Sequence, residues 1–502
     1  MHYRKATVTG TAAYKQSHPQ LNYRQFGRTD LQVSQAGFGG YRIDVGAENH
    51  RAALRHALTN GINLIDTSSN YADGGSEKLI GAVLAELFAA GQLERSQVVV
   101  VSKVGYLQGQ NYALSQQRKA AERPFPDLVE YSNGLEHCIH PEFIADQLTR
   151  TLERLQLETV DCYLLHNPEY FLGWAKKFDY ELEEVRQIYD ERLELAFQYL
   201  EEEVANGRIQ SYGVSSNSFP HAAASYDFTS VERLWEIATA ISPDHHFSAI
   251  QLPFNLLETG AATEQNQSHG RTVLAFAQEK QLAVLINRPL NAIDGHNLTR
   301  LASVPMVETP AVSAEIQTAV EEVAALEDQL QQEIFALSLP FRTQQEFAAT
   351  LAAARLLKQR WAGIGSLNNW QDVRDGYVRP RAQMGLQFLH QRPESSDKMR
   401  TLGDAYEAAL EKALSQITHY YQADAAAVAK QILARAHAAA PEWQAPTLSQ
   451  TAVRALRTTA AVTSVLVGMR RVEYVDDVLE ELRRPEQRAD FTAAWQTLAQ
   501  SR

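Results

Sequence analysis

The chain has 502 residues, 45% of them hydrophobic and 21% charged, with a formal net charge of -13. That balance is ordinary for a soluble globular protein, and the length accommodates one large barrel with an insertion, or two to three smaller domains. The acidic charge argues against a general nucleic-acid or anionic-membrane binder, and no apolar run approaches the roughly 20 residues that span a bilayer.

The first stretch, MHYRKATVTGTAAYKQ, carries early basic residues but no apolar core, so it does not read as a secretory signal. Residues 1–20 are taken as an N-terminal extension. The only cysteines, Cys138 and Cys162, offer no disulfide framework and fit a reducing, cytoplasmic setting. LNYRQFGRTDLQVS then reads as two short strands about a Gly-Arg-Thr-Asp turn.

Seven continuous apolar runs follow: Ala36–Gly40, Ile62–Asp66, Val98–Val104, Val160–His166, Ile209–Ser215, Ser248–Phe254 and Leu282–Ile286. An eighth, Thr463–Met469, lies near the C-terminus. Continuous rather than alternating apolar character marks strands buried on both faces, as in a parallel sheet. Helical stripes separate them. Ala53, Leu54, Ala57 and Leu58 share a face that stops at Gly61. Leu79, Ile80, Val83, Leu84, Leu87 and Phe88 form a second, and a third starts at Pro141 with Ile144, Leu148, Leu152 and Leu155. The alternation predicts a (β/α)8 TIM barrel behind an N-terminal β-hairpin.

Chemistry in such a barrel sits at the C-terminal ends of the strands. Asp66 ends the second strand, Lys103 lies near the end of the third, His166 ends the fourth, and Tyr71 follows the second. A lone Asp in such a place is usually a cap, and a lone Lys or His a solvated group. Four at consecutive strand ends have no such simple structural reading. A phenol titrates near 10, too high for efficient acid–base work at neutral pH. An adjacent ammonium lowers it, and a carboxylate keeps the buried ammonium charged. Asp66 is thus expected to serve Lys103, and Lys103 to serve Tyr71, with His166 donating to a carbonyl oxygen or relaying a proton.

These residues, in IDTSSNY, VVVVSKVG and DCYLLHNPE, resemble the aldo-keto reductase superfamily. YRQFGRTDLQVSQAGFGGYRI, GRIQSYGVSSNSF and TSVLVGMRRVEYVDDVLEEL extend the likeness, over about residues 22–290 and 447–482. The resemblance implies carbonyl reduction with NADPH, through an Asp, Tyr, Lys, His tetrad at Asp66, Tyr71, Lys103 and His166. It also implies an extended dinucleotide bound without a Rossmann motif, and no strand here leads into a GxGxxG helix. Ser215 with Asn217 or Ser216, and Gln251, would hold the nicotinamide amide. The loop Asn287, Arg288, Pro289 and Leu290 would pass the pyrophosphate. Gly468, Met469, Arg470 and Arg471 would lie by the adenosine phosphate, where an arginine grips a 2′-phosphate bidentately. NADPH is therefore expected ahead of NADH. Tyr41, Tyr106 and Trp174 stand in loops expected around the substrate, and Phe254 is expected to line the same pocket.

Three departures from the family pattern stand out. Asn287 replaces the usual aromatic platform for nicotinamide, with Phe254 as a neighbouring substitute. Tyr474 and Val478 replace the usual Gln and Asn near adenine. A large helical insertion, residues 299–446, separates the seventh strand from the helix preceding the eighth. It divides the barrel into residues 21–298 and 447–502. Within it Val320, Val323, Leu330, Ile334 and Leu337 lie at helical spacing, and further helices are expected around Gln344–Trp361, Leu402–Tyr421 and Ala425–Ala439. The insertion is expected to pack on the barrel and border the pocket, or to serve as an oligomer or partner interface. HCIH, His137–His140, reads as a loop before a helix rather than a metal site. The acidic run Tyr180–Glu203 reads as the solvated face of a long helix. The expected activity is NAD(P)H-dependent reduction of a small carbonyl compound, or its reverse. The alternative is a dinucleotide-binding regulatory or scaffold protein that works through its helical insertion.

Overall fold

The computed structural model describes residues 4–294, 297–304, 307 and 311–500. The chain divides into two units: Met1–Ala292 with Arg435–Arg502, and Ile293–Ala434.

In the first unit eight parallel strands close into a barrel in chain order. They are β1 (Ala36–Gly39), β2 (Leu64–Asp66), β3 (Val99–Val104), β4 (Cys162–His166), β5 (Tyr212–Ser215), β6 (Phe247–Pro253), β7 (Ala283–Asn287) and β8 (Ser464–Val467). All eight coincide with the apolar runs, and β2 to β6 and β8 are buried along their whole length. The register sets Gly39 beside Asp66, Lys103 beside Leu164, and Ser215 beside both His166 and Gln251. The polar side chains are thereby brought to one end.

The other end is plugged. The predicted hairpin forms from Tyr23–Gln25 and Gln32–Ser34, paired antiparallel. Phe26, Leu31 and Val33 join one buried cluster with Leu64, Val99, Leu164, Ala283 and Leu466. The turn needs glycine. Gly27 has φ +56°, and a Cβ there would lie 2.6 Å from the Ser248 carbonyl oxygen and 2.8 Å from the Ala283 nitrogen.

Two local features lie outside the sequence reading. The N-terminal extension contains a helix, Val8–Ser17, capped by the Thr7 side chain. Only Thr11 and Tyr14 of it are buried, so it has no apolar stripe to find. Between β3 and β4, Tyr106–Leu107, Val129–Ser132 and Leu135–His137 form a three-stranded antiparallel sheet. HCIH ends that sheet at His137, and the His140 ring caps the helix Pro141–Leu155 by accepting from the Glu142 N–H. The acidic run forms a single helix from Leu182 to Ala205, with Tyr180 and the N-cap Glu181 just before it.

The second unit is helical, with its own core. Val320, Val323, Leu330 and Ile334 are buried in one cluster with Trp370, Leu389, Tyr406, Leu414 and Ile417, and Leu337 packs against it. The helices differ from expectation in their breaks. The stretch expected as one helix over 344–361 is two, Phe341–Thr350 and Ala353–Arg360. The buried Glu327 carboxylate accepts the Ala354 N–H at 2.8 Å, which caps the second of them. Conversely, Asp397–Ala439 is one helix where two were expected, because its only glycine is Gly403 and no proline interrupts it. Helices Leu367–Val373 and Arg379–Gln391, joined by the π turn Arg374–Val378, complete the unit.

Candidate active site

Lys103 occupies the centre of the polar end and is fully buried. Its Nζ donates to Asp66 Oδ2 at 2.8 Å, to the Thr67 carbonyl at 2.8 Å and to the Tyr71 hydroxyl at 3.3 Å. Asp66 Oδ1 accepts from Gln251 Nε2 at 2.7 Å, and Gln251 Oε1 accepts from Ser215 Oγ at 3.3 Å. The chain Ser215–Gln251–Asp66–Lys103–Tyr71 is therefore continuous across four strands and one loop.

Backbone geometry holds the phenol over the ammonium. After Tyr71 the chain takes three successive left-handed residues, Ala72 (φ 48°), Asp73 (φ 52°) and Gly74 (φ 86°). Such a conformation costs roughly 1 kcal/mol at each non-glycine residue. Asp73 anchors the turn by accepting the Gln110 N–H at 3.0 Å. The Tyr71 ring meets Tyr41 edge-on at 5.1 Å and His166 at 5.9 Å.

Burial governs the electrostatics. It raises Asp66 and lowers Lys103, and the ion pair between them opposes both shifts. The sequence argument expects the ammonium to lower the phenol. Instead burial, with Asp66 and Tyr41, holds Tyr71 well above the ordinary tyrosine range. Asp66, at 2.8 Å, already answers the charge of Lys103, so the phenol keeps its proton at neutral pH. Burial, Lys103 and His137 push His166 well below 6.5, so its imidazole is neutral. The Ser68 hydroxyl has three acceptors in reach, Asn70 Oδ1 at 2.7 Å, His166 Nδ1 at 3.1 Å and the Lys103 carbonyl at 3.5 Å.

The flanking residues sort into two groups. Tyr106 packs edge-on to His166 at 4.7 Å, and its hydroxyl accepts from Asn167 Nδ2 at 2.7 Å. Tyr41, 64% exposed, borders the phenol from an accessible side, whereas Tyr106 is buried against the imidazole. Trp174 belongs to a separate aromatic cluster with Phe171, Phe178 and Tyr180. Phe254 is fully buried and packs on Trp495 at 4.4 Å, so it is a core residue and supplies no platform beside Asn287.

The residues matched to cofactor contacts lie along the same strand ends. Ser216 is tied to Ser218 at 3.0 Å, while the Asn217 side chain makes no hydrogen bond among the described residues. Asn287 Oδ1 is buried without a hydrogen-bond partner at the end of β7. Arg288 has φ 51° and pairs with Glu258 at 2.7 Å, which shapes the loop leading through Pro289 and Leu290. Met469 is fully buried and faces the core, while Gly468 and Arg471 are exposed and Arg470 is half-buried. Neither arginine has an ion-pair partner among the described residues. Tyr474 is exposed and Val478 buried. An orphaned amide oxygen at one end and two unpaired guanidinium groups at the other fit a dinucleotide carrying an amide and phosphates.

Comparison with known proteins places this geometry. The profile of the Aldo/keto reductase family matches residues 36–352. The chain belongs to that family. It is 31% identical over 151 residues to an L-galactose dehydrogenase of Arabidopsis thaliana, covering 28% of this chain and 46% of that protein. It is 24% identical over 264 residues to the methylglyoxal reductase YeaE of Escherichia coli, covering 52% of this chain and 66% of that protein. The match therefore spans about half to two thirds of these relatives. Among solved structures, a glycerol dehydrogenase from Gluconobacter oxydans is 15% identical, with 93% of this chain and 90% of that chain covered and a TM-score of 0.42.

In this aldo/keto reductase, Ser68, Asn167 and Glu169 join the site without having been found in the sequence. Each lies within three residues of a tetrad member, in IDTSSNY or LLHNPE. Small polar residues beside a strand-end Asp or His were the available signal.

Proposed function

We propose that this protein reduces an aldehyde or ketone to an alcohol with NAD(P)H, or catalyses the reverse oxidation. The observation that carries the reading is the buried chain Gln251–Asp66–Lys103–Tyr71, which ends on a protonated phenol beside a neutral imidazole. Bound, the reduced nicotinamide supplies the hydride. Tyr71 is the general acid: its O–H proton passes to the carbonyl oxygen as negative charge develops there. Lys103 stabilises the phenolate left behind, and Asp66 keeps Lys103 charged. When the Ser68 hydroxyl donates to Nδ1, His166 carries its proton on Nε2 and donates to the carbonyl oxygen. Ser215, Asn217 and Gln251 hold the nicotinamide amide, and Arg470 with Arg471 favours the 2′-phosphate of NADPH. The substrate is a small carbonyl compound bordered by Tyr41 and Tyr106, and the setting is cytoplasmic. No described helix is long and apolar enough to cross a membrane.

A panel of aldehydes and ketones offered with NADPH and with NADH, followed by nicotinamide absorbance, tests the proposal. Turnover of any carbonyl that is lost in Tyr71→Phe supports it. Tight cofactor binding with no turnover of any carbonyl or alcohol favours instead a dinucleotide-sensing scaffold. The separate core of the second unit, with its own buried tryptophan Trp370, is the observation behind that second reading.

A further inference from the structure

Glu169 is buried beside the site and has no part in the chemistry above. It lies three residues beyond His166 and is 7% exposed. Its Oε1 accepts the backbone N–H of Asn217 at 2.8 Å, and its Oε2 is buried without a hydrogen-bond partner. One carboxyl oxygen thus holds the strand-end turn that carries Ser215, Ser216 and Asn217, while the other is available for a proton. The other contacts of the turn are neutral: Ser216 N–H to the Gln251 carbonyl at 3.0 Å, Asn167 N–H to the Ser215 carbonyl at 2.6 Å, Ser218 N–H to Ser216 Oγ at 3.1 Å, and Ser216 with Ser218 at 3.0 Å. A charged acceptor makes the stronger bond.

We propose that Glu169 is a positioning residue, and that whether its carboxyl carries a proton sets how firmly the Ser215–Asn217 turn presents itself to the cofactor's amide. This rests on the reading that the turn receives the nicotinamide amide. The groups that face Glu169 are Tyr106, Tyr170 and Tyr189, with Asp227 and His221 beyond. Apart from His221, raised by its Asp227 partner, none of these titrates near neutrality. Burial lifts the Glu169 carboxyl to about 7, against the pull of its own N–H, the Asn217 N–H and the Ser216 hydroxyl, and Asp227 adds to the rise. The carboxyl is therefore protonated below that pH and ionised above it. The ionised form fixes the turn, so cofactor binding strengthens as pH rises through neutrality.

NADH is the probe, because the 2′-phosphate of NADPH ionises near 6, about where the effect falls. Fluorescence titration of the full chain between pH 5.5 and 8.5 is expected to show NADH binding about tenfold tighter at the upper end. Glu169→Gln keeps the acceptor oxygen and the shape but cannot ionise. It should bind NADH with a nearly pH-independent affinity close to the weak, acidic value of the unsubstituted protein. Glu169→Asp withdraws the carboxylate by one methylene and should bind more weakly while retaining a pH dependence. Calorimetry of the unsubstituted protein at pH 7, in two buffers of different ionisation enthalpy, should show about half a proton released per NADH bound. This measurement decides the matter if a variant does not fold. No proton release, or the same pH dependence in the Gln variant, overturns the role of Glu169. Absence of NADH and NADPH binding at every pH instead overturns the assignment of the turn itself.

Discussion

Replacing Lys103 with Met removes a fully buried ammonium that touches both Asp66 and Tyr71. In the transition state the phenol becomes a phenolate 3.3 Å from that ammonium. At this separation and an effective dielectric of about 20, the attraction is about 5 kcal/mol. Lost entirely, it corresponds to a fall in kcat of roughly a thousandfold to ten-thousandfold. The same substitution strands the Asp66 carboxylate, whose other partner is Gln251 at 2.7 Å. Breaking a buried pair from one side costs about 3–5 kcal/mol of stability, so inactivity alone would not identify the cause. The double variant Asp66→Asn, Lys103→Met separates the two effects. It leaves no buried charge, so the denaturation midpoint should recover most of the loss while kcat stays low. Steady-state kinetics and urea denaturation on the two proteins provide the assay. Recovery of activity together with stability, or a folded Lys103→Met enzyme within tenfold of the original kcat, would refute the argument.

Tyr71→Phe should lower kcat by about 10²–10⁴, with NADPH affinity measured by fluorescence unchanged. Arg470→Ala with Arg471→Ala should weaken NADPH binding by about ten- to a hundredfold while sparing NADH; equal losses would make the arginines structural. His137 is buried and depressed to about 4, whereas an unfolded histidine titrates near 6.5, so the unfolded state binds the extra proton first. Its contribution to stability is fully present above about pH 6.5 and is lost as pH falls to about 4, by roughly 3 kcal/mol. His137→Gln should flatten that part of the stability–pH curve. Trp370→Ala removes a fully buried indole and should cost about 3–5 kcal/mol, read as faster hydrogen exchange in residues 293–434.

The barrel and its polar rim were legible because a parallel strand buried on both faces has a continuous apolar composition. Each of the eight runs became a strand, and the polar residue ending a run was carried to the same end of the barrel. The helix at Val8–Ser17 lacked a stripe, so it gave no periodic signal. The helix breaks in the second unit depended on contacts such as Glu327 with Ala354, distant in sequence, and a local pattern cannot supply these. Phe254 was misjudged for a related reason. Its neighbour Trp495 lies more than two hundred residues away, and nothing near it announces that it is enclosed. The electrostatic error at Tyr71 has another source: a list of residue types contains charges but no depth, and depth decided the sign.

The closure of the barrel has a cost in time. β7 ends at Asn287, and its neighbour β8 begins at Ser464. On a ribosome adding about 5–20 residues per second, the gap separates their synthesis by roughly 10–35 s. During that interval seven strands exist, with β1 and β7 presenting unpaired edges to anything that can add a strand. The final closure joins residues more than four hundred positions apart, as where Ser464 Oγ donates to the Ser34 carbonyl. Assembly of this barrel therefore ends on some of its least local contacts. Conditions that slow translation of residues 288–463 should lower the soluble yield even though no barrel residue is altered.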